Sequence, residues 1–502
     1  MAVEKLEMAA YASEGFDGKQ AAQTKHLCLV PSDEKSSVRP VRIEHDFLGE
    51  LAVTADAYYG VQTMRALGNF QITGQRIDPD FVQAFAKVKK AAALANMATG
   101  RLDRKIGEPL VQAADEIIAG RLLDQFPVDP IQGGAGTSVN MNVNEVLCNR
   151  ALELIGQPRG RYDIISPNNH ANMAQSTNDS FPTAIKVCLS FKVKKLTAAL
   201  GRLSAELDKK AEAYKDILKM GRTHLQDAVP ITLGQEMGAY ASAVRRGSAR
   251  IEQAMAGLHV INMGGTAVGT GLNAEPAYIG KVAETLSEVT GETYRTADNM
   301  IDATNNTDGF ADISAAMKTT ALVLIKMAND FRLMASGPRC GLNELKLPKR
   351  QPGSSIMPGK VNPVIAEVLD QACYQVIAND LAVSLGVENG QFELNVMEPV
   401  ISFNLFNAMR FLTNAIDTFV EKLLIDLEPN REACQQWLDH SVGVITALLP
   451  HIGYENSAMI AKEAYNTGKP VREVILEKGI LTKEEVDRLL APRQMTTPGI
   501  SG

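Results

Sequence analysis

The chain lacks several features that would assign it to a specialised class of protein. Its 502 residues carry a net charge of −7, so there is no basic excess of the kind that nucleic-acid surfaces need. Aromatic residues make up only 5% and include a single tryptophan. There is no uninterrupted run of about eighteen apolar residues, so we expect no membrane span. The 45% hydrophobic content is ordinary for a globular protein, and the length predicts roughly two to four domains.

Cysteine is also scarce, and its spacing argues against bridges and metal sites. The six cysteines lie far apart in the sequence, mostly within helical patterns: Cys28, Cys148, Cys188, Cys340, Cys373 and Cys434. We therefore predict reduced thiols in the core and a cytoplasmic location. No paired histidines and no Cys–His cluster occur, so no metal ligands are predicted.

Residues 1–40 lack the signatures of a targeting segment. They mix acidic and basic side chains and contain no apolar core, which excludes a secretory signal, and their acidic residues are untypical of a transit peptide. We expect a disordered extension there.

Long helical patterns are what the sequence has in abundance. A helix begins near Asp80, with lysines between its apolar positions, and another runs from Thr137 to about Arg150. Five further patterns of about 20–30 residues exceed the globular average. They cover residues 182–214, 232–258, 308–335, 364–385 and 399–427. Such lengths predict a mostly α fold around a central bundle of long helices, with apolar surface left for partner chains.

Four polar, turn-rich stretches separate these helices: residues 132–138, 175–179, 221–227 and 353–363. They supply hydroxyl, amide, histidine and lysine groups but few acids, a set suited to a substrate with two carboxylates. Thr137 opens a helix, where unpaired N–H groups suit an anion. The P-loop lysine is missing, so a nucleotide site is weakly supported. A glycine-rich loop at 264–273 is predicted to be a pocket wall or a tight connection.

The stretch 353–363 combines a loop composition with chemically useful side chains. Its glycines and prolines predict a loop, and the glycines let the chain fold tightly around a small ligand. Lys360 and Asn362 can meet an anion as a charge and a hydrogen-bond donor. Ser354 and Ser355 lie beside them. These groups make the stretch a candidate binding loop.

Each stretch alone has an ordinary interpretation as well. Thr137 can be a helix cap, the stretch 175–179 a hydrogen-bonded turn, and His224 a structural histidine. The stretch 353–363 can be a flexible surface connector. All four interpretations would have to hold together, so their joint occurrence favours a ligand site.

The stretch 353–363, Gly-Ser-Ser-Ile-Met-Pro-Gly-Lys-Val-Asn-Pro, resembles the signature of the aspartase/fumarase superfamily of lyases. Residues 133–138, 176–179 and 221–224 resemble its other characteristic regions. The likeness extends from about residue 42 to about residue 490. It implies three domains, which we place at residues 1–176, 177–432 and 433–502. It also implies a homotetramer whose sites are assembled from loops of three subunits, and no organic cofactor.

Within the superfamily, the detail resembles the aspartate ammonia-lyases more than the class II fumarases. The resemblance to the aspartate ammonia-lyases lies in residues 56–63, 225–230 and 395–399. In addition, Ser166-Pro167-Asn168-Asn169 departs from the His-Pro-Asn-Asp of the fumarases. The implied reaction is reversible deamination of L-aspartate to fumarate and ammonium. The alternatives are hydration of fumarate to L-malate and a non-enzymatic scaffold like the crystallin relatives.

The resemblance also implies roles for individual residues. Ser354 is the implied general base, which removes the Cβ proton to leave an aci-carboxylate, and His224 is the second implied catalytic residue. Glu367 either pairs with His224 or is a solvated charge. The implied substrate contacts are Thr137, Ser176, Thr177 and Thr223 for the β-carboxylate, Ser355, Lys360 and Asn362 for the α-carboxylate, and Asn178 and His224 for the amino group.

Overall fold

Long helices dominate the computed structural model of the chain, which describes residues 40–500. The helices in this part of the chain are α1 Val61–Asn69, α2 Pro79–Ala98, α3 Arg104–Ile118, α4 Thr137–Leu154, α5 Thr177–Ala213, α6 Leu233–Gly257, α7 Pro276–Thr290, α8 Met300–Asn305, α9 Asp308–Met334, α10 Val364–Glu388, α11 Glu398–Phe419, α12 Arg431–His440, α13 Leu449–Thr467, α14 Val471–Glu477, α15 Lys483–Leu489 and α16 Pro492–Met495. Among the described residues, the strands form four two-stranded pairs: β1 Val41–Asp46 with β2 Gly49–Thr54, β3 Leu218–Thr223 with β4 Gln226–Thr232, β5 Val260–Ile261 with β6 Arg295–Thr296, and β7 Leu345–Lys346 with β8 Glu428–Pro429.

Five helices, α5, α6, α9, α10 and α11, form the central bundle. They contain 37, 25, 27, 25 and 22 residues respectively. Each packs on the next in this order, and α11 packs back on α5, so the ring is closed. The mostly α fold with a central bundle of long helices is therefore confirmed.

The bundle has two ends, which are set by the length and capping of α5. This helix begins in a capping box, in which the Ser176 side chain accepts from the Asn178 N–H and Asp179 accepts from the Ser176 N–H. At 1.5 Å per residue, its 37 residues span about 55 Å. We call the end where α5 begins the first end and the end where α5 finishes the second end.

Contacts between the other helices assign each terminus to one of these ends. Lys186, near the start of α5, donates to the Val260 carbonyl just beyond the end of α6, at 2.8 Å. Lys219, just beyond the end of α5, reaches the Met334 sulfur in the last turn of α9 at 3.3 Å. Thus α9 runs parallel to α5 and finishes at the second end. Arg332 contacts Asp370 of α10 at 2.9 Å, so α10 begins at the second end as well.

The segment before the bundle is anchored by two glutamates of α4. Glu145 is buried and accepts from the N–H groups of Gly60 and Gln62, both at 2.8 Å. Glu153 accepts from the Tyr58 hydroxyl at 2.6 Å. Burial raises the pKa of Glu153, but hydrogen bonds from Tyr58 and two arginines outweigh it and lower the pKa to about 2. The stretch 56–63, singled out from the sequence, is thus a structural anchor in this chain.

Two apolar cores are present in the described part of the chain. The larger extends from Ala66 to Cys434 and joins the N-terminal helices to the bundle. The smaller lies among the short C-terminal helices, between Leu448 and Leu489. The division at residues 176 and 432 stays a prediction, because the larger core is continuous across the first of these positions.

Four of the cysteines are buried as free thiols, as predicted, whereas Cys340 is exposed. Cys28 lies outside the described residues, and so does the predicted extension at 1–40 apart from its last residue. Among the helices that are described, none is both long and apolar enough to cross a membrane.

One predicted loop has a different structure. Residues 221–227 belong to the β3–β4 hairpin, whose register pairs Thr223 with Gln226 across a two-residue turn. The turn residues His224 and Leu225 have φ of 53° and 62°, values that hairpin turns of this kind require. Glycine or asparagine usually marks such turns, and neither occurs at these two positions, so the hairpin was not predicted.

Candidate functional site

Three of the predicted contact residues line one cleft at the first end of the bundle. Thr137, Ser176 and Thr177 border an open cleft of about 700 Å³, which lies where α4 and α5 both begin. Asn140 and Asn172 line the same cleft. Two helix N-termini, with their positive dipole ends, lie at this cleft, an arrangement that favours a carboxylate.

Thr137 owes its position to the glycine-rich turn before α4. Gly136 precedes the helix with a φ of 88°, and its Cα lies against the ring of Phe181. The Thr137 hydroxyl donates to the Gly134 carbonyl at 2.8 Å, and the side chain is exposed to the cleft. The turn therefore presents a hydroxyl and a helix N-terminus together.

The start of α5 supplies further groups. Thr177 is buried to 8% exposure, and its Oγ1 accepts from Asn140 Nδ2 at 3.0 Å. Asn178 Nδ2 donates to the Ala267 carbonyl at 2.7 Å, which leaves its Oδ1 as an acceptor. An acceptor is what a substrate ammonium group requires. Ser176 is engaged as the N-cap of the helix.

Asp179, which was not among the predicted site residues, fixes this corner of the cleft. Its buried carboxylate accepts from the N–H groups of Ser176, Thr266 and Gly264 at 2.9, 3.0 and 3.2 Å. Burial raises its pKa to about 6, and these backbone donors oppose the shift. Through them the loop 264–273 is held against α5. This loop lines the cleft with Thr266, Ala267, Leu272 and Asn273. It is therefore a pocket wall, which was one of the two alternatives predicted for it.

The loop 353–363 is closed by its own hydrogen bonds. The Gly353 N–H donates to the Lys360 carbonyl at 2.7 Å, and Asn362 Nδ2 donates to the Gly353 carbonyl at 2.9 Å. A Cβ on Gly353 would lie 2.8 Å from the Lys360 carbonyl oxygen, so the close approach requires glycine. Asn362 thus closes the loop, which is a role that the sequence did not suggest.

Within this loop, Ser354 is held as an acceptor. Its Oγ accepts from the backbone N–H groups of Ile356 at 3.2 Å and Met357 at 3.1 Å. Two N–H donors on one hydroxyl oxygen stabilise the alkoxide more than the alcohol and so favour loss of the proton. Ser355 and Lys360 are exposed beside it.

Thr223 and His224 form the exposed tip of the β3–β4 hairpin at the second end of the bundle. The base of the hairpin is rigidly held, because Glu344 is fully buried and pairs with Arg222 at 2.7 Å and with Lys219 at 2.8 Å. Leu225 beside them is 73% exposed. The hairpin therefore projects polar and apolar groups away from its own chain.

One chain does not bring all these groups together. The cleft lies at the first end, whereas the hairpin lies at the second end, about 55 Å away along α5. The loop 353–363 directly precedes α10, which begins at the second end. Glu367 accepts from Gln371 on its own helix and is not paired with His224 within the described chain. A small dicarboxylate cannot contact both ends of one chain.

Sequence reasoning missed the amide residues behind Thr177 and the lysine behind them. Asn140 and Asn172 line the cleft, and Lys89 of α2 donates to Asn172. The spacing contains a signal that the sequence analysis did not use. Lys89 lies four residues after Phe85 and three before Ala92, on the apolar stripe of α2.

Two known family models match this chain. The lyase family model matches residues 49–378, and the model of the fumarase C C-terminus matches residues 444–497. Together with the bundle of long helices, these matches place the chain in a defined class. The chain belongs to the aspartase/fumarase superfamily of lyases.

Individual relatives are similar over nearly their whole length. Aspartate ammonia-lyase from Bacillus sp is 53% identical over 92% of this chain and 99% of its own. The enzyme of that name from Escherichia coli K12 is 45% identical over 91% and 96%. Among solved structures, a fumarate lyase:delta crystallin from Brucella melitensis, bound to cobalt, is 45% identical with a TM-score of 0.89, over 91% of this chain and all of its own. Class II fumarase from Schistosoma mansoni is 37% identical with a TM-score of 0.88, over the same shares.

Proposed function

We propose that this protein is an aspartate ammonia-lyase, which converts L-aspartate reversibly into fumarate and ammonium. The observation that carries the proposal is the 53% identity to the Bacillus enzyme of that name, over 92% of this chain. The class II fumarase from Schistosoma mansoni is less similar, at 37%. The fold and the hydroxyl-rich cleft suit either dicarboxylate, so the leaving group is what separates the two activities.

The difficult step is removal of a proton from the carbon next to the β-carboxylate. The product of that step is an aci-carboxylate with roughly two negative charges at one end of the molecule. Hydrogen-bond donors placed where this charge develops are commonly worth about 3–4 kcal/mol each. Thr137, Ser176 and Thr177 of the cleft, with Thr223 from a hairpin, are the groups that we assign to the β-carboxylate, and the Thr137 hydroxyl exchanges its Gly134 acceptor for the substrate. Helix N-termini at the cleft add to the same field.

Ser354 is the proposed base. The N–H groups of Ile356 and Met357 support its alkoxide, and the nearby charge of Lys360 acts in the same direction. The alkoxide takes the Cβ proton, and the carbon–nitrogen bond then breaks as the electron pair leaves with the amine.

The remaining polar groups bind the α-carbon substituents. Lys360, Ser355 and the second N–H of Asn362 are the donors that we assign to the α-carboxylate. Asn178 Oδ1 and His224 contact the amino group and hold it for departure. Lys360 and Ser355 are exposed, and so are accessible to a substrate that approaches the loop.

We also infer that the active unit is a homotetramer in the cytoplasm. The separation of the cleft from the hairpin and the loop 353–363 supports sites shared between subunits. Apolar side chains that remain exposed along α10, among them Val368, Leu381 and Leu385, support a helical partner surface. The buried free thiols fit a reducing compartment.

The test compares two reactions of the purified protein. L-Aspartate should yield ammonium and the ultraviolet absorbance of fumarate in equal amounts, whereas fumarate in water without ammonium should yield no L-malate. Malate formation with no ammonium release from aspartate would replace the proposal by the fumarase alternative. No reaction with either dicarboxylate would favour the non-enzymatic scaffold.

A further inference from the structure

Lys89 is a buried cation directly behind the cleft. The residue is only 2% exposed, and its Nζ donates to Asn172 Oδ1 at 2.9 Å and to Gln175 Oε1 at 3.0 Å. Both acceptors are neutral amides, and no residue between 40 and 500 forms an ion pair with this ammonium group. A buried charge without an opposite charge in contact is costly to the folded protein. Its retention here requires an explanation.

Two amide side chains connect this cation to the wall of the cleft. Asn172 Oδ1 accepts from Lys89 and also from Asn140 Nδ2 at 3.2 Å. Asn140 Nδ2 in turn donates to Thr177 Oγ1 at 3.0 Å. Asn140, Asn172 and Thr177 all line the cleft, so the ammonium group lies one residue behind its surface.

This arrangement determines what the Thr177 hydroxyl can do. Since Thr177 Oγ1 already accepts from Asn140, its own proton remains for donation, and no acceptor for it lies within the described chain. A carboxylate in the cleft would accept that proton. The hydrogen bond that Thr177 accepts from Asn140 strengthens the one that its hydroxyl donates. Asn172 Oδ1 accepts from both Lys89 and Asn140 and so relays no polarisation between them, and the ammonium group acts on the same carboxylate through its electric field.

We propose that Lys89 is a positioning residue whose positive charge, held behind the cleft by Asn172 and Gln175, stabilises the carboxylate of a bound dicarboxylate. The same charge stabilises the dianionic end that forms when the Cβ proton leaves. This inference rests on the proposed function, and it names the source of the field that acts on the β-carboxylate. Lys89 exchanges no proton with the substrate, because the Cβ proton goes to Ser354.

Two titratable groups face Lys89 from the neighbouring helices, Asp179 at the start of α5 and Cys148 on α4. Burial lowers the pKa of Lys89 to about 7, and the charge of Asp179 opposes the shift. Burial raises the pKa of the Cys148 thiol, which therefore stays neutral. Asp179 is committed to three backbone donors. Near neutral pH, the charge on Lys89 therefore depends on whether an anion occupies the cleft.

The sign of the expected pH dependence follows from linkage. A dianion in the cleft favours charged Lys89, so the pKa of Lys89 is higher in the complex than in the free protein. Below pH 7 the lysine is charged in both states and binding is pH-independent. Above pH 7 the free protein loses the charge, so binding must recruit a proton, and affinity falls by up to about tenfold per pH unit.

Proton uptake on binding succinate, an unreactive dicarboxylate, tests the inference without turnover. Calorimetry at pH 8 in two buffers of different ionisation enthalpy gives the number of protons taken up. The wild-type protein should take up close to one proton per site, and its Kd for succinate should rise between pH 7 and pH 9. No uptake and a flat Kd in the wild-type protein, together with undiminished succinate binding by folded Lys89→Met, would overturn the role of Lys89.

Variants assign the proton to this residue. Lys89→Met should abolish the uptake and weaken succinate binding at pH 6.5 by about tenfold or more. Lys89→Arg keeps the charge at every pH, so its Kd should not rise above pH 7. The control is Lys90→Met, because Lys90 is the next residue of α2 and pairs with Asp115. It should behave as wild type. Undiminished uptake in the folded Lys89→Met or Lys89→Arg protein would contradict the inference.

The outcome is separable from that of the proposed function. Fumarate formation from aspartate by the wild-type protein, with succinate binding undiminished in Lys89→Met, would remove the role of Lys89 alone. Proton-linked succinate binding by a protein that does not turn over aspartate would remove the proposed activity alone.

Discussion

The chemistry proposed for this protein depends on one serine oxygen. A serine hydroxyl is a poor base, since its alkoxide is unstable in water. The loop 353–363 changes this by directing two backbone N–H groups at Ser354 Oγ, from Ile356 and Met357. Such donors favour the charged form and cost little reorganisation, because the backbone already holds them in place.

Ser354→Ala is therefore expected to lower kcat for aspartate deamination by about 10²–10⁴-fold, the usual contribution of a positioned base. Succinate binding should be retained, because the proposed carboxylate donors are unchanged. Steady-state kinetics and calorimetry measure the two effects. Ser248→Ala, which removes a hydroxyl that contacts Glu252 on α6, is the matched control. Near-normal turnover in Ser354→Ala would remove Ser354 as the base.

Residue roles were only partly accessible from the sequence. The polar composition of the loop 353–363 predicted a binding element, and the closed loop agrees with tight folding around its glycines. The loop-closing bond of Asn362 was not predictable, because it depends on a contact that only the fold creates. The burial of Lys89 was predictable from its place on the apolar stripe of α2, although the amide side chains that hold it were not.

At the scale of elements, the cleft depends on how α4 and α5 begin. Gly136 has a φ of 88°, and a Cβ at this position would lie 2.3 Å from the ring of Phe181 on α5. Gly134 in the same turn has a φ of 92° but no atom within 4 Å of its Cβ position. Substitution of these two glycines therefore distinguishes the cost of backbone strain from the cost of steric contact with the neighbouring helix.

The left-handed backbone conformation should lower the free energy of unfolding of Gly134→Ala and of Gly136→Ala by about 1–2 kcal/mol each. The free energy of unfolding of Gly136→Ala should fall by about 1–3 kcal/mol more, because Phe181 must move. Urea unfolding of the two variants measures the difference. In addition, Gly136→Ala should weaken succinate binding more than Gly134→Ala, since displacement of Phe181 shifts α4 against α5. Equal stability of the two variants would show that the ring contact is unimportant.

The elements that the sequence predicted well are those with a long, regular apolar period. The five bundle helices repeat their apolar positions many times, so the pattern tolerates local exceptions. The β3–β4 hairpin was not predicted, for identifiable reasons. A register shift lies between Met220 and Arg222, Pro230 lies in the second strand, and the turn lacks glycine. Each of these features removes a signal that short strands normally give.

At the scale of the whole molecule, the length of α5 decides how a site can form. Its 37 residues, about 55 Å of helix, place Thr177 and Thr223 at opposite ends of the bundle, while both are proposed to contact one carboxylate. Both residues can contact one carboxylate only if the first end of one chain meets the second end of another. A homo-oligomer whose subunits pack with bundles in opposite directions provides such contacts.

Mixing two inactive variants tests this account most directly. Thr177→Ala damages the cleft at the first end, and Ser354→Ala damages the loop 353–363. Each should form little fumarate from L-aspartate when refolded alone. When equal amounts are refolded together, a site needs an intact cleft from one chain and an intact loop from another. Random assembly should then restore about one quarter of the wild-type rate of fumarate formation. A mixture that remains as inactive as its parents would contradict the shared site.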